Sequence, residues 1–121
     1  MNYLAIALVL LVAVEHVYIL VLEMFLWTTP RAMKTFGTTP EVAKTTKVFA
    51  ANQGLYNGFL AAGLFWGLLH GDAGFSFQIQ VFFLACVLVA AVYGCFTFKK
   101  SILLTQGLPA FLAMVAVLVA G

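Results

Sequence analysis

The sequence predicts an all-α, polytopic membrane protein in which four transmembrane helices form one bundle and one domain, residues 1–121. Of the 121 residues, 64% are hydrophobic and only 8% are charged, and the mean hydropathy is +1.10. Soluble globular domains are far more polar. Because a helix needs roughly 20 apolar residues to cross a bilayer, the chain can be divided into about four crossings with almost nothing left over.

Capping and turn residues bound the four predicted helices. The first ends at Trp27, whose indole suits a membrane interface, and a polar connection follows. Thr39 is the predicted N-cap of the second helix, with Pro40 at its first position, and the glycines of segment 70–74 end it. The pair Lys99-Lys100 makes the turn between the last two helices. The predicted helices cover about residues 2–27, 40–69, 75–98 and 101–120.

The basic residues are confined to two predicted connections between membrane spans: Arg31 to Lys47, in which the second helix begins before it enters the membrane, and the Lys99-Lys100 turn. With four crossings, both of these connections lie on one side of the membrane, and both termini lie on the other with the 70–74 loop, which has no Lys or Arg. The positive-inside rule makes the basic side cytoplasmic, so both termini are predicted to be periplasmic. The six basic residues are Arg31, Lys34, Lys44, Lys47, Lys99 and Lys100.

The first helix carries three ionisable residues inside an apolar segment, namely Glu15, His16 and Glu23. A charged side chain at the centre of a membrane helix costs at least about 2.5 kcal/mol, so these groups need partners, protons or a water-filled cavity. His16 and Glu23 are seven residues apart and share one face of the helix, whereas Glu15 is turned by about 100° from His16. This segment is therefore a candidate functional site.

Polar residues of the other three helices are predicted to lie at matching depths. Amides that face lipid would lose their hydrogen bonds, so Asn52, Gln53 and Asn57 are expected to face the bundle interior. The depths, counted at about 1.5 Å per residue, predict a polar cavity that opens to the cytoplasm and ends near the bilayer centre. Its predicted ligand-binding or proton-relay residues are Glu15, His16, Glu23, Asn52, Gln53, Tyr56, Asn57, Tyr93 and Gln106.

Structural interpretations of the same residues stay open. His16 could be a hydrogen-bonded core residue, and Glu15 could be a protonated carboxyl that is bonded to an amide. Glu23 could extend to the interface and pair with Arg31 or Lys34. The amides of the second helix could serve only as hydrogen bonds between helices.

Small residues recur every four positions along the second helix. This spacing lets another helix approach closely, so the ribbon is predicted to pack on a neighbouring helix. A second pair of small residues on the same helix could mediate contact between two copies of the chain in a homo-oligomer. A weak match of residues 53–61 to 106–113 would relate two helical hairpins by an axis along the membrane normal, although chance in an apolar background explains it equally well. The ribbon is Ala50, Gly54, Gly58 and Ala62, and the second pair is Gly63 and Gly67.

The sequence shows no motif for a cofactor, a metal or a nucleic acid. A four-helix di-metal site needs Glu-x-x-His pairs on separate helices, whereas Glu15 and His16 are adjacent and point in different directions. Cys86 and Cys95 are nine apart on one helix, so they face opposite sides and are predicted to form neither a disulfide nor a zinc site. Phosphate loops, nucleophile elbows and Rossmann fingerprints are absent. The net charge of +2 resides in short turns, which gives no nucleic-acid signal.

Several strings along the whole chain are similar to a known family. They are Glu15-His16, Leu22-Glu23-Met24-Phe25 with Trp27, Pro30-Arg31, Phe36-Gly37, Ala51-Asn52-Gln53-Gly54-Leu55-Tyr56-Asn57-Gly58, Tyr93-Gly94, and Gln106 with Pro109-Ala110. In these strings the chain resembles the DUF1304 family of small bacterial integral-membrane proteins. The resemblance implies one bacterial inner-membrane domain and carries over no activity, substrate or catalytic residue.

Three functional classes fit these features. In the first, the cavity binds or transports a small polar or cationic solute and its acids and imidazole exchange protons with it. In the second, an intramembrane enzyme uses Glu/His acid-base chemistry on a lipid-soluble substrate that enters from the bilayer. The third is a structural partner subunit. Because the sequence contains no recognisable nucleophile or cofactor motif, binding or transport ranks first and catalysis second.

Overall fold

The computed structural model describes residues 2–120, which are entirely helical with connecting turns and contain no strand. Five α-helices and one π-helical stretch, here called π1, follow one another along the chain. They are α1 Tyr3–Met24, α2 Pro30–Phe36, α3 Pro40–Leu69, α4 Ala73–Thr97, π1 Leu103–Gly107 and α5 Leu108–Ala120. The predicted all-α class is confirmed over this range.

Helix α2 overlaps the segment from Arg31 to Thr38, which was predicted only as a polar connection. The Oγ1 of Thr29 accepts a hydrogen bond from the N–H of Ala32, and Pro30 occupies the first helical position. The helix ends at Phe36 and is capped by Gly37, whose φ of 70° places it in the left-handed region that favours glycine. Helix α1 ends at Met24, three residues before Trp27. Seven residues are too few to show a helical period, so only these caps could have predicted α2.

The later helices also begin at positions set by local chemistry. Asp72 caps α4, because its Oδ1 accepts from the N–H of Phe75, and α4 therefore starts two residues before the predicted position. Pro109 has no N–H to donate to the carbonyl four residues earlier. The preceding N–H, that of Leu108, donates to the carbonyl of Leu103, which is five residues earlier rather than four. The predicted fourth helix is accordingly divided into π1 and α5.

Three helical segments of the described chain are long and apolar enough to cross a membrane. These are Tyr3–Met24, Ala73–Thr97 and Leu103–Ala120. Helix α3 is longer than any of them at 30 residues, but its amides and glycines lower its hydropathy. The fourth crossing therefore stays a prediction.

The chain divides into two compact units, and the divisions fall inside α1 and α3. Unit 1 contains the chain up to Val14 and from Leu60 onward. Its buried core draws on α1, α3, α4 and α5. The core residues are Ala5, Val9, Val12, Ala13, Leu64, Leu84, Val87, Ala110, Ala113 and Val117.

Unit 2 is the segment Glu15–Phe59. It contains the second half of α1, all of α2 and the first two-thirds of α3. The indole of Trp27 packs on the ring of Phe36 with 5.0 Å between centroids, and its Nε1 donates to Oγ1 of Thr46. These contacts hold the α1–α2 connection against α3.

Candidate functional site

The second half of α1 presents two polar residues on its buried face. His16 is 1% exposed and Glu23 is 6% exposed. Ile19 and Leu22 are buried on the same side of the helix. Seven residues make nearly two helical turns, so His16 and Glu23 lie one above the other about 10 Å apart along the axis. The shared face that the sequence predicted is thus the face that α1 buries.

Glu23 has a hydrogen-bond partner on α3. The Nδ2 of Asn57 donates to Oε1 of Glu23 at 2.5 Å. Asn57 is half-buried, and the two residues are 34 positions apart in the chain. A buried carboxylate is stabilised when an amide donates to it. This bond joins α1 to α3 within unit 2.

Two glycines allow α3 to approach α1 at this bond. A Cβ atom on Gly54 would lie 2.6 Å from Cγ of Met24, 3.1 Å from Cβ of Glu23 and 3.2 Å from the carbonyl oxygen of Leu20. A Cβ on Gly58 would lie 2.6 Å from Cδ1 of Leu20. The prediction that the small-residue ribbon packs on a neighbouring helix is confirmed at these two positions. In unit 1, Gly63 and Gly67 pack on α4 instead, against Phe83 and Gln80.

Glu15 is placed differently from Glu23. It lies about 80° from Glu23 around α1, at the edge of the buried face. The side chain as a whole is half-buried, but its Oε1 is fully buried and has no hydrogen-bond partner among residues 2–120. A buried acceptor without a donor is rare in folded proteins and calls for an explanation.

Three of the predicted site residues on α3 lie outside the buried face. Asn52 and Gln53 are exposed, and Tyr56 is 59% exposed. The expectation that both amides face the interior is wrong for the chain described here. Gly54 and Gly58 fix which side of α3 contacts α1, and at about 100° per residue Asn52 and Tyr56 fall on the opposite side. The amides were predicted to face the interior because lipid offers them no hydrogen bonds, and the cavity was assembled from matching depths; neither argument determines the rotation of a helix about its axis.

Tyr93 and Gln106 belong to unit 1. Tyr93 is 70% exposed on α4. Gln106 is half-buried within π1, whereas its counterpart in the proposed repeat, Gln53, lies in a regular α-helix. Their membership of one cavity with the residues of unit 2 stays a prediction.

Sequence reasoning missed the partner of Arg31. Its Nε donates to the hydroxyl of Tyr18 at 2.6 Å, and its guanidinium carbon lies 5.6 Å from the centroid of that ring. The alternative ion pair of Glu23 with Arg31 or Lys34 is not formed within the described part of the chain; Glu23 accepts from Asn57 instead. The feature of the sequence that could have predicted the Arg31 contact is Tyr18, an amphipathic side chain on the last turns of α1.

The helices and the buried acids together define a small all-α protein with apolar helices long enough to cross a membrane and with carboxylates inside one of them. The chain belongs to the family described as "Protein of unknown function (DUF1304)", whose model matches residues 10–118. It is 35% identical over 118 residues to the uncharacterized protein YpaA of Lactococcus lactis subsp. lactis (strain IL1403). The alignment covers 96% of this chain and 98% of the relative. No solved structure matches the chain significantly.

Proposed function

We propose that this protein spans the bacterial plasma (inner) membrane several times and that its acid site binds or transports a small polar or cationic solute. Glu15, His16 and Glu23 exchange protons with that solute. In this proposal the chain forms one transmembrane domain with four crossings. Both termini are periplasmic and both basic connections are cytoplasmic.

The fourth crossing is supported by packing. Leu64 of α3 is buried in the core of unit 1, and Leu60, Phe65 and Leu68 pack against that core. The other helices of this core, α1, α4 and α5, supply the three segments apolar enough to cross a membrane. A helix that packs among such segments is expected to share their environment, where small residues and amides mediate helix contacts. The bacterial source of YpaA supports the location.

The observation that carries the proposal is the buried Oε1 of Glu15, which no described residue satisfies. Leaving a buried polar group unsatisfied costs about 1–3 kcal/mol, and more for a charged group. Ionisable residues within membrane segments mark ion or proton pathways by default. A ligand that donates a hydrogen bond to this oxygen removes the cost, and a proton on it removes the additional cost of the buried charge.

The chemistry of the site limits the ligand. An ionised carboxylate has acceptors only, so its ligand is a cation, a proton or a hydrogen-bond donor. Glu23 lies about 12 Å further along α1, and Asn57 already donates to its Oε1. Two acids on one helix with an imidazole beside the first fit the transfer of a proton or a cation in successive steps.

Proteoliposomes that enclose a pH-sensitive dye test this function, with guanidinium and tetramethylammonium as the probe cations. The wild-type protein is expected to give a saturable proton exchange when a probe is added. Glu15→Gln and Glu23→Gln should each lower the apparent affinity or rate roughly tenfold, equivalent to about 1.4 kcal/mol. The matched control is Glu41→Gln, the same change at an exposed carboxylate in the first turn of α3, which should behave as wild type. Equal dye responses in wild type, the variants and empty liposomes would contradict proton-coupled binding of these cations.

Thiol labelling asks whether water reaches the site. Cys86 and Cys95 are both free and are first replaced by alanine. Single cysteines at positions 23 and 57 should then react with a small cationic thiol reagent added from the cytoplasmic side. A cysteine at position 22 should stay protected, because Leu22 is fully buried on the same helix. Protection at positions 23 and 57 would indicate a dry core and would remove the case for transport.

A further inference from the structure

Unit 1 contains a cavity that is separate from the acid site. It lies where α1 and α4 begin and where α3 and α5 end, and its volume is about 560 Å³. Small-molecule sites in proteins are clefts of roughly 300–1,000 Å³, lined mainly by apolar groups with a few polar groups that fix orientation. The cavity has the size and composition of such a site.

The polar groups of the cavity are held in fixed orientations. The N–H of Asp72 donates to Nδ1 of His70 at 3.0 Å, so the imidazole proton resides on Nε2, which is a donor. The Nε2 of Gln80 donates to Oγ of Ser76 at 2.9 Å, and that hydroxyl donates to the carbonyl of Gly67 at 2.6 Å. The Gln80 amide is thereby oriented, and its Oε1 is an acceptor. His70, Ser76 and Gln80 all line the cavity.

The rest of the lining is mainly apolar. Ile6, Leu68, Phe77 and Val117 contribute side chains from four different helices. Among residues 2–120, none of those that line the cavity is Asp, Glu, Lys or Arg. A charged ligand would lose its hydration without gaining an opposite charge from these side chains, which is costly in an apolar site.

We propose that this cavity binds a neutral amphiphile with a hydroxyl head and an apolar body. The hydroxyl accepts from Nε2–H of His70 and donates to Oε1 of Gln80, since a hydroxyl is both donor and acceptor. The apolar body lies along Ile6, Phe77 and Val117. This binding site goes beyond the proposed transport function and does not depend on Glu15 or Glu23.

Quenching of Trp66 fluorescence by a brominated alcohol reports on this site. The indole ring lies 6.4 Å from the His70 ring, and Trp27→Phe leaves Trp66 as the sole tryptophan, since the chain has two. The protein is reconstituted in lipid nanodiscs. Bromododecanol is the probe, and bromododecane, which has no hydroxyl, is its comparison. We expect saturable quenching by the alcohol and roughly fivefold weaker binding of the alkyl bromide, the loss expected for about one hydrogen bond.

Two pairs of variants make the test specific to the cavity. Gln80→Leu removes the acceptor and should weaken binding of the alcohol roughly fivefold. Gln78→Leu, at an exposed position of the same helix outside the lining, should leave that binding unchanged. Ala120→Phe fills the rim and should abolish saturable quenching, whereas Val119→Phe at a neighbouring exposed position outside the lining should keep it. Displacement by unlabelled dodecanol indicates a free alcohol, and displacement only by monododecanoylglycerol indicates a bilayer lipid. Quenching that is not saturable, or that is equal in all four variants, would overturn the proposal.

Discussion

The hydrogen bond from Asn57 to Glu23 gives the first prediction at the scale of single residues. Asn57→Leu leaves the Glu23 carboxyl buried without its donor, which should cost about 1–3 kcal/mol of stability. The variant should therefore unfold several degrees below wild type in detergent. Because replacing both partners by apolar groups can be nearly neutral, the double variant Glu23→Leu/Asn57→Leu should recover much of the loss.

Asn52→Leu is the matched control for this prediction. It makes the same change on the same helix, at a position that is exposed in the chain. Its unfolding temperature should stay close to that of wild type. If Asn57→Leu were as stable as Asn52→Leu, or if the two losses in the double variant simply added, the bond would contribute nothing to stability.

The sequence predicted which polar residues of α1 share its buried face, but it did not predict which residues of α3 lie on the face that contacts α1. Spacing along α1 was sufficient for His16 and Glu23, because residues seven apart on a helix share a face whatever surrounds it. Asn52 and Gln53 were assigned to the interior because lipid offers amides no hydrogen bonds, and to one cavity by depth; neither argument determines rotation about the helix axis. The positions of Gly54 and Gly58, opposite Asn52 and Tyr56, held the missing information. The partner that Glu23 selects could not be predicted, since it depends on how two distant segments pack.

At the scale of helices, the contact of α3 with α1 predicts an order of stability for three glycine variants. Gly54→Ala should destabilise by about 1–3 kcal/mol, because its Cβ meets the backbone oxygen of Leu20 as well as side chains. Gly58→Ala meets only the terminal methyl of Leu20, and alanine gains about 1 kcal/mol of helix propensity over glycine. It should be nearly neutral. Thermal unfolding in detergent measures both.

Gly71→Ala serves as the reference for these helix variants, since a Cβ there has nothing within 4 Å. Its unfolding temperature should equal that of wild type. A Gly54→Ala protein that unfolds no lower than Gly58→Ala would show that α1 and α3 do not pack closely at Gly54.

Long and short elements differed in how far the sequence could predict them. The apolar segments that form α1 and α4 could be predicted from composition alone. Helix α2 depends on a threonine cap and a left-handed glycine, which act over a single turn. π1 depends on the missing N–H of one proline. Such local effects change the backbone without changing hydropathy.

At the scale of the whole molecule, the number of crossings decides how the basic residues are distributed. Four crossings place all six on one side. If α3 did not cross, the four between Arg31 and Lys47 would lie on one side and Lys99 and Lys100 on the other. The positive-inside rule favours the first arrangement. Hydropathy favours the second, because only three segments of the described chain are apolar enough to cross.

Reporter fusions separate the two arrangements. With four crossings, residue Asp72 and the end of the chain are both periplasmic, so alkaline phosphatase fused after Asp72 or after Gly121 should be active. Green fluorescent protein exported at the same positions should be dark. With three crossings and a cytoplasmic Arg31 to Lys47 segment, both phosphatase fusions would be inactive and both fluorescent fusions bright. A fusion after Lys34 is cytoplasmic in either arrangement and calibrates the inactive level. We expect activity at both Asp72 and Gly121, because Leu64 and its neighbours on α3 pack in the same core as the three apolar segments.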